Sequence, residues 1–432
     1  MIPFRISKLE INNIGPFGNI ILDFPKKPEG MSTKSEIHIL TGENGTGKST
    51  VLELLTSCLL WQQHLNSNKI RYKNNSTSLV IDFLENAHSK YEFDSAQGFL
   101  VNKNFGSVHE ITNHWVNHFA YPNNIETPFS VAFFAYSGYR RVNQTTIAAI
   151  QELGNHPLEG ALDFQNSINP QLILQWIANV ISKEAISKSQ NGEGSANRYR
   201  NSISLIETAI SSIIEKPIRF ILDLEPLDVK IEVDGEKLNF NQLPDGLKSI
   251  VSWLSDLLIR MDRVKWVNDL PVFERNFILF LDEIEVHLHP AWQRKILPAI
   301  QSLFPNAQIF VSTHSPFVIG SVDGAWIYKL IKPNGDTKLA SPPILSEDSH
   351  SVSYWLKEVF DIKSEFSQAI QHDLDKFYQL RDKLLINGTS EQRNELREIS
   401  QSLLNENSQE ISTIINLELR QLNKRLATPL NM

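Results

Sequence analysis

The stretch Thr41-Gly42-Glu43-Asn44-Gly45-Thr46-Gly47-Lys48-Ser49-Thr50 constrains this chain more than any other, because it fits GxxxxGKS/T, the phosphate-binding P-loop. The motif needs a strand before it and a helix after it. Glu36 to Leu40 predicts a short apolar strand and Val51 to Leu60 predicts a helix, so both are supplied. Gly42, Gly45 and Gly47 free the backbone to point successive N–H groups at phosphate oxygens, and the helix adds its positive dipole end. Lys48 brings a point charge to the outer phosphates, and the Ser49 hydroxyl is placed to ligate Mg²⁺. Glu43, Asn44, Thr46 and Thr50 complete the residues expected around a bound ATP.

A chain of 432 residues with 41% hydrophobic residues can bury an ordinary core and fill roughly two to three domains. A formal net charge of -8 gives no global drive toward nucleic acid or an anionic membrane, so any DNA contact would need a local basic patch or a partner. The one cysteine, Cys58, sits in the apolar run after the P-loop and reads as core in a reducing compartment. No run approaches the ~20 apolar residues of a membrane span, and Met1-Ile2-Pro3-Phe4-Arg5 lacks a signal region, so a soluble cytoplasmic protein is expected.

Phe4 to Phe24 alternates around Asn12-Asn13 and Gly15-Pro16, predicting a strand, a turn and a second strand that form a structural sheet edge or else lie beside the nucleotide base. Leu79 to Phe83 and Lys90 to Phe93 read as paired strands, and Val131 to Tyr136 as a buried strand ending in Ser137-Gly138-Tyr139-Arg140-Arg141. That polar turn would aim Arg140, Arg141 or Gln144 toward the phosphates, or else form a solvated basic turn. Residues 145 to 218 read mostly as helix, with amphipathic stretches Pro170 to Ser182 and Ile203 to Ile214. Ser187 to Asn201, rich in Ser, Asn, Gly and charge, is expected to be a mobile loop. A hairpin around Asp234-Gly235 then delivers Leu243-Pro244-Asp245-Gly246-Leu247-Lys248-Ser249 to the start of an apolar helix, a second anion-binding arrangement.

Phe277 to Leu281 is an uninterrupted apolar run, as a central parallel strand requires, and it ends in Asp282-Glu283. This is the Walker B pattern: Asp282 to hold Mg²⁺ and Glu283 to polarise the attacking water. The HxH of His287 and His289 lacks a third ligand at a usual interval, so a turn is preferred to a metal site. Ala307 to Val311 predicts the neighbouring strand and ends in Ser312-Thr313-His314-Ser315-Pro316, which places His314 to sense the γ-phosphate.

With these pieces in order, the chain resembles the ABC-type ATPases related to SMC and RecF proteins in their compact form. The string Asp282 to Pro290 with Ser312 to Pro316 looks most like OLD-type ATPases and the PtuA-type ATPase subunits of Septu anti-phage systems. The resemblance implies an α/β P-loop ATPase head, a mixed sheet flanked by helices, over residues 1–335, with a helical lobe at about 145–218 and 243–270. It implies two heads sandwiching ATP and Mg²⁺, each nucleotide capped by Asp245, Gly246 and Lys248 of the other copy. One departure matters: Pro244 stands where the family usually has Ser, and proline offers neither hydroxyl nor N–H. Slow hydrolysis, with nucleotide acting as assembly glue, is the expectation. Gln144 is the candidate for the family's Q-loop.

Residues 336–432 are expected to form a C-terminal helical region, with the change of character at about Ser351. Phe366, Ile370, Leu374, Phe377 and Leu384, then Leu396, Ile399 and Leu403, then Ile411, Ile415, Leu419 and Leu422 fall at helical spacing, predicting a small bundle that docks a partner or another copy. Neither an acid cluster nor a Cys/His set marks a nuclease there. The implied function is an ATPase subunit of an anti-phage complex that controls a separately encoded nuclease of HNH or TOPRIM type, with DNA as a further candidate ligand and no membrane partner. The competing readings are a RecF-like DNA repair ATPase and, behind it, a transporter ATPase head.

Overall fold

The computed structural model describes residues 4–59, 64–65, 76–83, 88–94, 99–103, 128–138, 149–154, 156–164, 168–191, 193–347, 350–362, 366–406 and 408–426. The chain divides into two compact units, Met1–Trp355 and Leu356–Met432. Tyr139, Arg140, Arg141 and Gln144, the candidates for a contact from the turn after the 131–136 strand, lie outside the described residues.

The first unit begins with β1 (Ile6–Asn12) and β2 (Asn19–Asp23), an antiparallel pair in which Asn12 faces Asn19. Strict alternation buries Ile20 and Leu22 of β2 and leaves their neighbours exposed, the mark of a sheet with one face in the core. Next come β3 (Glu36–Gly42), buried along nearly its whole length, and α1 (Lys48–Leu59). The strands β4 (His64–Leu65), β5 (Ser78–Phe83), β6 (His88–Asp94) and β7 (Phe99–Asn102) extend the opening hairpin into an antiparallel sheet of order β2-β1-β5-β6-β7-β4.

After β8 (Ala132–Tyr136) the chain forms α2 (Pro170–Asn191) and α3 (Glu193–Ile214). The loop expected at Ser187 to Asn201 is therefore helical on both sides of residue 192. Its polar composition misled because the stretch still carries buried positions, Ser187 and Ala196, on two helices that pack together. Tertiary packing of that narrow stripe outweighs weak intrinsic propensity.

A three-stranded antiparallel sheet follows, β9 (Ile218–Leu224), β10 (Leu227–Val233) and β11 (Glu236–Asn239), in the order β11-β10-β9. Its expected turn, Asp234-Gly235, takes positive φ at both residues, as a two-residue hairpin loop demands. Then come α4 (Asp245–Arg263), β12 (Phe277–Leu281), α5 (Pro290–Leu303), β13 (Gln308–Ser312), the single turn α6 (Pro316–Ile319), β14 (Trp326–Ile331), β15 (Lys338–Leu339), β16 (Ile344–Leu345) and α7 (Val352–Glu358). Five strands run parallel in the order β14-β3-β13-β12-β8, with β15 and β16 added antiparallel on β14. All five residues of β8, β12 and β13 are buried, which is why each reads as a continuous apolar or nearly apolar run. The mixed sheet and flanking helices match the fold class expected from the sequence, but residues 149–154 and 156–164, in a stretch expected to be mostly helix, carry none.

The antiparallel and parallel sheets are joined by a buried polar cluster. The Gln308 carboxamide on β13 pairs with the β1 backbone as a further strand would: Ile6 N–H donates to Oε1 at 2.8 Å and Nε2 donates to Ile6 O at 2.8 Å. Nε2 also reaches Glu36 Oε1 at 2.7 Å, the oxygen that Arg5 contacts at 2.5 Å and that lies 2.9 Å from His38 Nε2. A buried carboxylate with so many donors is satisfied rather than stranded.

The second unit contains α8 (Gln368–Asn387), α9 (Ser390–Asn405) and α10 (Gln409–Arg425). Leu374, Phe377, Leu380 and Leu384 pack with Leu396 and Leu403 and with Ile411, Ile415, Leu419 and Leu422 in one apolar core. Thr389 and Gln392 form a capping box at the start of α9, and Arg381 joins α8 to α10 through Glu418 at 2.7 Å.

Candidate nucleotide site

The site lies at the carboxyl ends of β3, β13 and β12, where an open parallel sheet presents its loops. β13 separates the P-loop strand from the Asp282 strand, so three consecutive strand ends contribute Lys48, His314 and Asp282. Gly42, Gly45 and Gly47 all take positive φ, giving the loop the turns expected of it. Lys48 is 5% exposed, and its ammonium group donates to Gly42 O and Glu43 O, both at 3.0 Å. Thr46 closes the loop by donating to Glu43 O at 2.8 Å.

Ser49, on the first turn of α1, donates to Asp282 Oδ1 at 2.9 Å. Ser312, at the end of β13, donates to the same oxygen, and its hydroxyl accepts the Glu283 N–H at 2.9 Å. The two candidate Mg²⁺ residues are therefore adjacent, and their hard oxygens suit that ion. Glu283 takes φ 46, a left-handed conformation uncommon for a side chain of its size.

Electrostatics follow from crowding three acids around one lysine. Burial pulls the Lys48 pKa down against the pull of Asp282, Glu283 and Glu285. Burial and the neighbouring Asp282 charge raise Glu283, with Lys48 opposing. Burial and the Lys48 charge lower His314, which keeps its imidazole neutral. Glu283 is thereby made more basic than an ordinary carboxylate, the property a residue that accepts a proton from water requires.

The remaining candidates stand elsewhere. Asp245, Gly246 and Lys248 open α4, whose N-cap Pro244 makes no side-chain capping bond, and Lys248 Nζ lies 3.3 Å from Asp245 Oδ1. A Cβ at Gly246 would come within 2.6 Å of His287 O, so this end of α4 rests on the turn that follows Glu283 within the same chain. Glu43, Asn44, Gly45 and Thr50 belong to the P-loop and the first turn of α1. His289 caps α5, its Nδ1 accepting the Ala291 N–H at 3.2 Å, and no group of three or more His, Cys, Asp or Glu that could hold a metal occurs among the described residues. Cys58 is buried and burial raises its thiol pKa. No helix among the described residues is long and apolar enough to cross a membrane.

Three contributors escaped the sequence reading. Gly138 abuts Glu283, Ser312 holds Asp282 and the Glu283 amide, and Glu285 binds the loop after β13. Only the second carried a usable signal, a hydroxyl at a strand end beside the Walker B strand.

The family described as AAA domain, putative AbiEii toxin, Type IV TA system matches residues 37–320, which contain the whole of this site. The Retron Ec83 probable ATPase of Escherichia coli is 23% identical over 76% of this chain and 71% of its own length. The Retron Vc95 probable ATPase of Vibrio cholerae serotype O1 biovar El Tor is 26% identical over 78% and 76%. Septu protein PtuA of Bacillus mycoides is 24% identical over 74% of this chain and 39% of its own length.

Proposed function

This chain belongs to the family described as AAA domain, putative AbiEii toxin, Type IV TA system, and we propose that it binds ATP with Mg²⁺, hydrolyses the ATP, and regulates a prokaryotic anti-phage defence complex whose nuclease is a separate chain of HNH or TOPRIM type. The observation that carries the hydrolytic part is the Ser49–Asp282 hydrogen bond of 2.9 Å, which ties the P-loop helix to the end of the Walker B strand. Lys48 and the P-loop amides hold the phosphates. Ser49 and Asp282 supply the oxygens for Mg²⁺, which when bound offsets the phosphate charge and the crowded acids. Glu283 orients water and takes its proton, and neutral His314 presents its imidazole to the γ-phosphate side.

A second copy completes the site. Asp245, Gly246 and Lys248, at the uncapped start of α4, close over the nucleotide of the other head through the helix dipole and the lysine charge. Pro244 removes one donor from that lid, which makes turnover slow. The likeness to two retron ATPases and to Septu protein PtuA supports the defence role, and the helical region of α8 to α10 serves partner docking or self-assembly.

The test begins with the purified chain and MgATP. Glu283→Gln is expected to retain ATP, to stop its turnover and to trap a dimer in sedimentation. Normal turnover by that variant would remove Glu283 from the chemistry, and a chain that stays monomeric at saturating ATP and Mg²⁺ would end closure by a second copy. Purification from the native operon is expected to bring a nuclease along. A chain that emerges alone and protects cells alone would overturn the partnership.

A further inference from the structure

The turn after Glu283 contains a third carboxylate, Glu285, that points back into the protein. Its Oε2 accepts the Thr313 hydroxyl at 2.7 Å and its Oε1 accepts the His314 N–H at 2.5 Å. Glu285 has no lysine or arginine ion-pair partner among the described residues, and Glu283 stands close enough to add repulsion. Burial raises its pKa in spite of these two bonds. Placing an acid here is costly, so a residue concerned only with filling space would be better served by an amide or an apolar group.

The grip falls on a particular segment. Thr313 and His314 are the first residues beyond β13, and Thr313 Oγ1 also accepts the Ser315 N–H at 3.0 Å, so it both donates and accepts here. A second strap lies alongside: Ser315 donates to Gln293 Oε1 at 2.6 Å, and Gln293 Nε2 donates to Leu288 O at 2.8 Å. The turn carrying Glu283 and the loop carrying His314 are thus laced together at two points, with Glu285 holding the histidine's own amide.

We propose that Glu285 is a positioning residue for ATP hydrolysis: by binding the His314 N–H and the Thr313 hydroxyl at once, it fixes the separation between the Glu283 carboxylate and the His314 imidazole on either side of the γ-phosphate. The proposal rests on the reading of Glu283 and His314 as the hydrolytic pair. It assigns Glu285 no contact with nucleotide, water or metal. Glutamine has a single acceptor oxygen, so Glu285→Gln satisfies one donor and turns an NH₂ group toward the other. The loop is then released by a fraction of its hold while the P-loop is untouched.

The experiment measures ATP affinity and kcat separately for Glu283→Gln, His314→Ala, Glu285→Gln and the double variant His314→Ala with Glu285→Gln, each checked for folding by its thermal melt. Glu285→Gln is expected to bind ATP within about twofold of the parent while kcat falls roughly 10–100-fold, the scale seen when a supporting hydrogen bond to a functional side chain is lost. In the His314→Ala background the same change is expected to cost less than about threefold, because it acts through the histidine. Parental kcat in folded Glu285→Gln, or an undiminished loss in the His314→Ala background, would overturn the positioning role while leaving Glu283 in place. Turnover by Glu283→Gln would instead overturn the reading beneath it. If Glu285→Gln does not fold, Thr313→Val removes one half of the grip. Lowered kcat at retained affinity then supports the proposal, and unchanged kcat ends it.

Discussion

Gly138 and Glu283 occupy touching positions: a Cβ at residue 138 would lie 2.7 Å from the Glu283 Cβ and 3.0 Å from its Oε2. Glu283 is also held at positive φ and bound through its N–H by Ser312, so it has little freedom to move aside. The absence of a side chain at 138 therefore keeps open the place where this carboxylate stands. Gly138→Ala is expected to lower ATP turnover about tenfold or more while ATP affinity, set by the P-loop, changes little. Paired turnover and binding measurements on the one variant check this.

The Gln308 carboxamide takes the part of a strand neighbour for Ile6, and no apolar residue can do so. Gln308→Leu leaves the Ile6 N–H and carbonyl without the Gln308 partners in a buried place, while Glu36 Oε1 keeps Arg5 and His38. A loss of roughly 2–4 kcal/mol is expected, since each stranded buried group costs about 1–3 kcal/mol and the surroundings relax in part. Urea denaturation of the parent and variant gives the difference.

Acid should weaken the fold in two stages. Burial lowers the His38 pKa from its ordinary 6.5, against the pull of Glu36, so the unfolded chain takes up more protons as pH falls below about 6.5 and stability declines from there. Burial pushes Glu36 upward, but the hydrogen bond from His38 and the charge of Arg5 outweigh it and hold the carboxyl below its ordinary 4.5. The Glu36 contribution is present above about 4.5 and is lost as pH drops through its folded value. Denaturation at pH 7.5, 6 and 5 should show the first stage, and His38→Gln should flatten it.

Phe377 is fully buried in the core shared by α8, α9 and α10. Phe377→Ala is expected to cost about 3–5 kcal/mol within this unit. Hydrogen exchange of peptides from residues 368–425 provides the measurement, with faster exchange as the expected result.

The parallel strands were legible because burial on both faces leaves no choice but continuous apolar residues, as in Phe277-Ile278-Leu279-Phe280-Leu281. The C-terminal helices were legible for the complementary reason, a regular apolar stripe on a polar background. The junction of α2 and α3 was not, since its buried positions, Ser187 and Ala196, are small and give no apolar stripe. Much the same holds at the site. Lys48, Asp282 and Glu283 stand in motifs whose spacing encodes their geometry, whereas Gly138 and Glu285 matter through contacts with residues more than a hundred and about thirty positions away in sequence.

Because β13 runs between β3 and β12, the Gln308-to-Ser312 segment works as a spacer whose width is the thickness of one strand. Its first residue grips the antiparallel sheet and its last grips Asp282, so the spacer is anchored at both ends. One strand thus ties the backbone of Ile6 at one end to the Asp282 carboxylate at the other, with the start of the P-loop strand held at the same end as Ile6 through Glu36.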